Sequence, residues 1–165
     1  MNPVIQIPSE ALDRPVTPHV EHDAPSIRTD VVYVVHTSID ETLRALPVAG
    51  NFANTLGVPV TLVHVRSIPY ALPVDEPCGI SPVETEAFAD RLRAEGANVR
   101  VRTYLCRDRR SAIPAAFKPH SLIVVGGLQR RWWRTEADFW RRALEAAGHF
   151  VVFVDQAEHK EHSHA

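Results

Sequence analysis

Five apolar runs recur along the chain, spaced so that a helix fits between each consecutive pair. They are Val31-Val32-Tyr33-Val34-Val35, residues 58–65, residues 99–106, Leu122-Ile123-Val124-Val125 and Phe150-Val151-Val152-Phe153-Val154. Near-continuous β-branched and aromatic residues suit parallel strands covered on both faces. The third run differs, because Arg100, Arg102 and Thr103 alternate with its apolar residues. It is expected to be a partly exposed edge strand. In the intervals the period changes from continuous to helical: Leu43, Leu46, Ala53 and Leu56 form one stripe through residues 40–56, and Ala137, Trp140, Leu144 and Ala147 form another through 133–147.

Punctuation between the runs supports the same elements. Ser38-Ile39-Asp40-Glu41 has the form of a capping box at the start of the first helix, and Gly57 stands where a left-handed residue would end it. Pro47 falls inside that helix and is expected to kink it. Ser81-Pro82-Val83-Glu84 opens a second helix that closes at Gly96. Residues 67–81 hold Pro69, Pro73, Pro77 and Gly79, too many breakers for an element, and make a long loop carrying Cys78. Residues 109–119 predict a short helix interrupted at Pro114, and Gly148 stops the last helix. Strand and helix alternating in this way predict a single three-layer α/β/α Rossmann-like domain with a five-stranded parallel sheet in the order 3-2-1-4-5.

The pattern is absent from both ends. Residues 1–28 contain five prolines and no sustained period, which predicts a flexible arm. Val4-Ile5-Gln6-Ile7 within it has the alternative of adding an edge strand or docking on a partner. The domain then occupies residues 29–156, and 157–165 are a polar tail with His159, His162 and His164. A net charge of -2 over 165 residues excludes a global attraction to nucleic acid or anionic membrane. No apolar run approaches the length a bilayer needs, and Met1 is not followed by a leader pattern, so a cytoplasmic location is expected. Two cysteines, Cys78 and Cys106, make no disulfide framework.

The candidate chemistry gathers where the fourth run ends in Gly126-Gly127 and gives way to Gln129-Arg130-Arg131-Trp132-Trp133-Arg134. Paired glycines there predict a tight turn at the carboxyl end of a strand, where open α/β sheets bind ligands. Arginine forks hold phosphate well, so Arg130 and Arg131 are candidates for an anion site. The alternative is a solvated cationic turn whose Trp132 and Trp133 pack on the sheet edge or across a subunit boundary, or meet a protein partner. His36, His64 and Cys106 fall at strand ends and are metal-ligating types, but one per strand lacks the close spacing of zinc motifs, and no metal is expected. No nucleophile, base and orienting group stand near one another, so an enzyme is less expected than a binding or regulatory protein.

Four stretches taken in order resemble the universal stress protein family, a branch of the adenine nucleotide α-hydrolase-like folds. They are Val34-Val35-His36-Thr37-Ser38, Thr61-Leu62-Val63-His64-Val65, Ala89-Asp90-Arg91-Leu92-Arg93-Ala94-Glu95-Gly96, and Ser111-Ala112-Ile113-Pro114-Ala115-Ala116 preceding Leu122-Ile123-Val124-Val125-Gly126. The resemblance covers residues 30–155. Together with the residues themselves it points to an adenine-nucleotide crevice, for which the candidate binding residues are His36, Ser38, Val65, Gly126, Gly127, Arg130 and Arg131. It also implies, as the apolar edge of the fifth run does, a homodimer joined through Phe150, Val151, Val152, Phe153 and Val154. Members that bind ATP carry Gly-x-x-Gly, nine residues, then Gly-Ser or Gly-Thr. Here Gln129 replaces the second glycine, Phe139-Trp140 or Ala137-Asp138 the third, and His36 the aspartate usual after the first strand. The expectation is therefore a dimeric regulatory or scaffolding module of the stress response with weak or no ATP binding. The alternative is a sensor of nucleotides or other anions at the Gly-Gly-Arg junction.

Overall fold

The computed structural model describes residues 5–7, 29–70, 82–94, 99–128 and 134–155. Its strands are β1 (Ile5–Ile7), β2 (Val32–Val35), β3 (Val60–Ser67), β4 (Arg100–Cys106), β5 (Leu122–Gly127) and β6 (Phe150–Asp155). Its helices are α1 (Ile39–Leu56), α2 (Pro82–Ala94), α3 (Ile113–Ala116), which continues a 3-10 turn at Arg109–Ala112, and α4 (Glu136–Ala146). The sheet order is β1-β4-β3-β2-β5-β6. Its five parallel strands thus follow the order read from the sequence, with helices on both faces.

The sixth strand is the departure. Ile5–Ile7 runs antiparallel to β4, with Ile5 opposite Leu105 and Ile7 opposite Thr103. This part of the N-terminal segment therefore takes the edge-strand alternative, while residues 8–28 lie outside the described residues. β4 is consequently an inner strand, and the partly exposed edge expected from its alternating arginines is corrected: Tyr104, Leu105 and Cys106 are all buried. An alternating pattern marks polar positions on a strand, but the loss of a free edge depends on a partner more than ninety residues away.

Strand parity divides the core into two layers. Val32, Val34, Leu62, Val101, Leu122 and Val124 face α1 and α2, meeting Ala45, Ala49 and Leu92. Tyr33, Val35, Val63, Val65, Tyr104, Ile123 and Val125 face α3 and α4, meeting Ile113, Phe117, Trp140 and Leu144. Helix α1 runs through Pro47 from Ile39 to Leu56, and Gly57 ends it at φ 68° with its amide donating to the carbonyls of Ala53 and Asn54. Pro114 opens α3, where a missing amide costs nothing.

Candidate functional site

Strand order reverses at β2, which pairs with β3 on one side and β5 on the other. The carboxyl ends of β2 and β5 therefore bound the crevice where such sheets take ligands. His36, Ser38 and Gly126 meet there, as the sequence predicts, but they are engaged with the chain itself. The Thr37 hydroxyl donates to the Gly126 carbonyl at 3.0 Å, which ties the loop after β2 to the end of β5. Ser38 caps α1 by accepting from the Glu41 amide at 3.3 Å. The Thr42 hydroxyl donates to the Ser38 carbonyl at 2.6 Å. Having spent its only proton, Thr42 Oγ1 must accept from His36 Nδ1, 2.9 Å away, which assigns the His36 proton to Nδ1.

The two strand-end histidines form a buried pair. Their rings meet edge to face, with centroids 4.8 Å apart and planes at 86°. Burial lowers His36 to about 4. Burial first, then His36 and Arg66, lowers His64 to about 3. Both imidazoles are neutral at physiological pH and supply no charge to an anion. Cys106 does not join them. His36 and His64 follow the parity of the residues facing α1 and α2, whereas Cys106 lies in the opposite layer with Tyr104. It pairs in register with Ser67, three residues beyond His64, roughly 10 Å along the strand. Its thiol lies 3.7 Å from the Arg66 carbonyl, and burial, more than nearby Asp108, raises its pKa. Among the described residues no group of three His, Cys, Asp or Glu is placed to hold a metal ion.

Gly126 and Gly127 do not form the expected turn. Both belong to β5, and the positive-φ glycines among the described residues are Gly57 and Gly148. Their missing side chains serve helix packing instead. A Cβ on Gly126 would lie 2.1 Å from the Glu41 carbonyl oxygen, and one on Gly127 would lie 2.1 Å from Ala137 Cβ. The close approach that glycine permits here is taken by α1 on one face and α4 on the other. Val65 is buried in the α4 layer, away from His36.

The amino end of α1 at this crevice is capped by Ser38, and the amino end of α4, a second helix terminus where an anion could dock, is capped as well. Asp138 N donates to Thr135 Oγ1 at 3.2 Å, and Thr135 N donates to the Asp138 carboxylate at 3.4 Å, completing a capping box. Asp138 and Glu136 place two carboxylates in the first turn, against the charge of a phosphate. Trp140 is buried at 1% exposure in the layer between the sheet and α4. Among the described residues, the space beside Gly126 and Gly127 and the first turn of α4 are thus occupied by groups of the chain itself. Arg130, Arg131, Trp132 and Trp133 lie outside the described residues.

A cavity of about 480 Å³ lies to one side, lined by Ser67 at the end of β3, Arg107, Asp108 and Arg109 after β4, and Arg134, Thr135, Glu136 and Phe139 before and in the first part of α4, so that three arginines face two carboxylates. Arg109 pairs with Glu136 at 2.8 Å, and the Arg107 guanidinium lies 5.4 Å from the Tyr70 ring centre. Sequence reading missed Arg107 and Arg109 because they follow a different strand from the Gly-Gly junction. It also missed Thr37 and Thr42, although Thr42 sits four residues after Ser38, where a helical side chain can reach back to that carbonyl.

No family model matches the chain, and no curated protein does. Among solved structures, a protein of the universal stress protein family from Burkholderia pseudomallei is similar over 79% of this chain and 98% of its own, at 19% identity and a TM-score of 0.45. A universal stress protein from Archaeoglobus fulgidus is similar over 77% of this chain and 94% of its own, at 18% identity and a TM-score of 0.46. At those values nothing about activity or ligand transfers from them. Among the described residues no helix is long and apolar enough to cross a membrane.

Proposed function

We propose that the chain is a universal-stress-protein-like regulatory or scaffolding module, cytoplasmic and homodimeric through β6, that does not depend on ATP. The observation that carries this reading is the use of Gly126 and Gly127: the space a phosphate cradle would need holds the Glu41 carbonyl and the Ala137 methyl. The Thr37 bridge to Gly126 and the carboxylate-capped amino end of α4 support it. So does the order of the four family-like stretches in the sequence. A protein partner is proposed to contact Trp132 and Trp133.

Differential scanning of the full chain with ATP, AMP and cyclic nucleotides tests the reading, because a ligand that binds the folded state raises the melting temperature by mass action. No rise is expected with millimolar nucleotide. A saturable rise would overturn it. A second reading, an anionic-ligand sensor, is favoured by the cavity between Arg107, Arg109 and Arg134. It predicts a saturable rise with phosphate-bearing ligands that Arg109→Ala removes.

A further inference from the structure

A second cavity of about 480 Å³ lies away from the switch-point crevice, between the 3-10 turn with α3 and the second half of α4. Two helical stripes form its walls. Arg110, Ile113 and Phe117 come from one, at spacings of three and four; Arg142, Ala143 and Ala146 come from the other. The groove exists because α4 presents alanines where a helix packed against its neighbour would carry larger side chains. Phe117 and Ile113 are buried at 3% and 6% exposure, so the floor is the edge of the core itself.

The polar groups of this groove share one sign. Arg110 and Arg142 line it, no acidic residue does, and neither arginine has a carboxylate partner among the described residues. The Arg110 guanidinium lies 5.8 Å from the Phe139 ring centre, which leaves its donor edge uncommitted to an anion. His149 adds a neutral donor. Its Nδ1 accepts from the Ser121 amide at 3.3 Å, so its proton sits on Nε2. Phe117 steadies the ring edge to face, with centroids 5.8 Å apart.

The geometry points to a binding site for a small organic acid with an apolar body, its carboxylate held by Arg110 and Arg142 and its hydrocarbon laid over Ile113, Phe117 and the α4 alanines. The volume lies in the range of small-molecule pockets, about 300–1,000 Å³. Planar guanidinium forks match a carboxylate, and an apolar floor rejects a fully hydrated anion such as inorganic phosphate. This site is independent of the nucleotide crevice and survives or fails separately from the proposed function.

Decanoate titrated calorimetrically into the full chain at neutral pH tests it, with decanol as the uncharged control. Saturable one-site binding of decanoate below about 1 mM is expected, weakened about tenfold or more when the two charge-assisted contacts are removed in Arg110→Ala/Arg142→Ala. Decanol should bind at least about tenfold more weakly than decanoate on the same grounds. Ala146→Leu, at an exposed position where leucine is nearly as good a helix former as alanine, should fill the groove and abolish binding while leaving the melting temperature of the free protein nearly unchanged. Equal affinity in parent and variants, or decanol binding as tightly as decanoate, overturns the assignment. So does the absence of saturable binding to the full chain, the outcome if another segment or a second copy already covers the groove.

Discussion

His36 and His64 are held neutral by their surroundings, and that has a cost on acidification. The folded-state values, about 4 and about 3, lie below the unfolded value near 6.5. Between these limits the unfolded chain binds two protons that the native pair refuses, so unfolding becomes easier as pH falls. Stability should be level above about pH 7 and decline below about 6.5, by up to about 1.4 kcal/mol per pH unit for each histidine. His149, lowered chiefly by burial, adds to the same trend. Urea midpoints measured from pH 8 to pH 5 check this, and His36→Gln should flatten the decline. Gly127 is constrained by space alone. Gly127→Ala should cost about 1–3 kcal/mol through overpacking against Ala137. Adding Ala137→Gly should return part of that loss, so a double-mutant cycle by urea denaturation will show coupling, whereas a glycine kept only for a ligand would show none.

At the scale of elements, α4 was legible in the sequence from its apolar stripe, but its start was not. The stripe suggests residues 133–147, whereas the helix begins at Glu136, where the Thr135 and Asp138 side chains close the cap. Thr135→Ala should therefore lower stability by about 1 kcal/mol, read as a fall in melting temperature, with no change in fold. Strand β5 was legible as an apolar run, yet the same two glycines that suggested its end are inside it. Glycine signals freedom, and only the neighbouring helices show whether that freedom is spent on a turn or on close packing. Of the candidate site, the placement of His36, Ser38 and Gly126 near one end of the sheet was readable because they lie at or just past the carboxyl-terminal parts of the adjacent strands β2 and β5. The separation of Cys106 from the histidines follows from strand parity combined with the β3–β4 register, and one sequence does not display register.

For the whole molecule, the β6 edge is the surface on which the proposed dimer is tested, since among the described residues no strand pairs with its outer side. β1 covers the β4 side, while β6 is the opposite edge strand, half-buried along Val151 to Asp155 with Phe150 49% exposed. An exposed apolar edge invites a second copy, and a charge placed there is the usual protection against pairing. A native mass spectrum should show two subunits for the parent and one for Val154→Lys, with an unchanged circular dichroism spectrum. A parent that sprays as a monomer would remove the dimer from the proposed function.

The sequence by itself determined the alternation of strands and helices, because hydrophobic period and capping residues act over a few neighbouring positions; the order 3-2-1-4-5 is one choice among the doubly wound arrangements that alternation allows, and the sheet bears it out. Only the tertiary structure decided that Ile5–Ile7 pairs with β4, that Gly126 and Gly127 admit the close approach of α1 and α4, and that two arginines flank an alanine-lined groove. Those outcomes depend on which distant surfaces meet and how closely, and such distances are set by packing the whole chain at once.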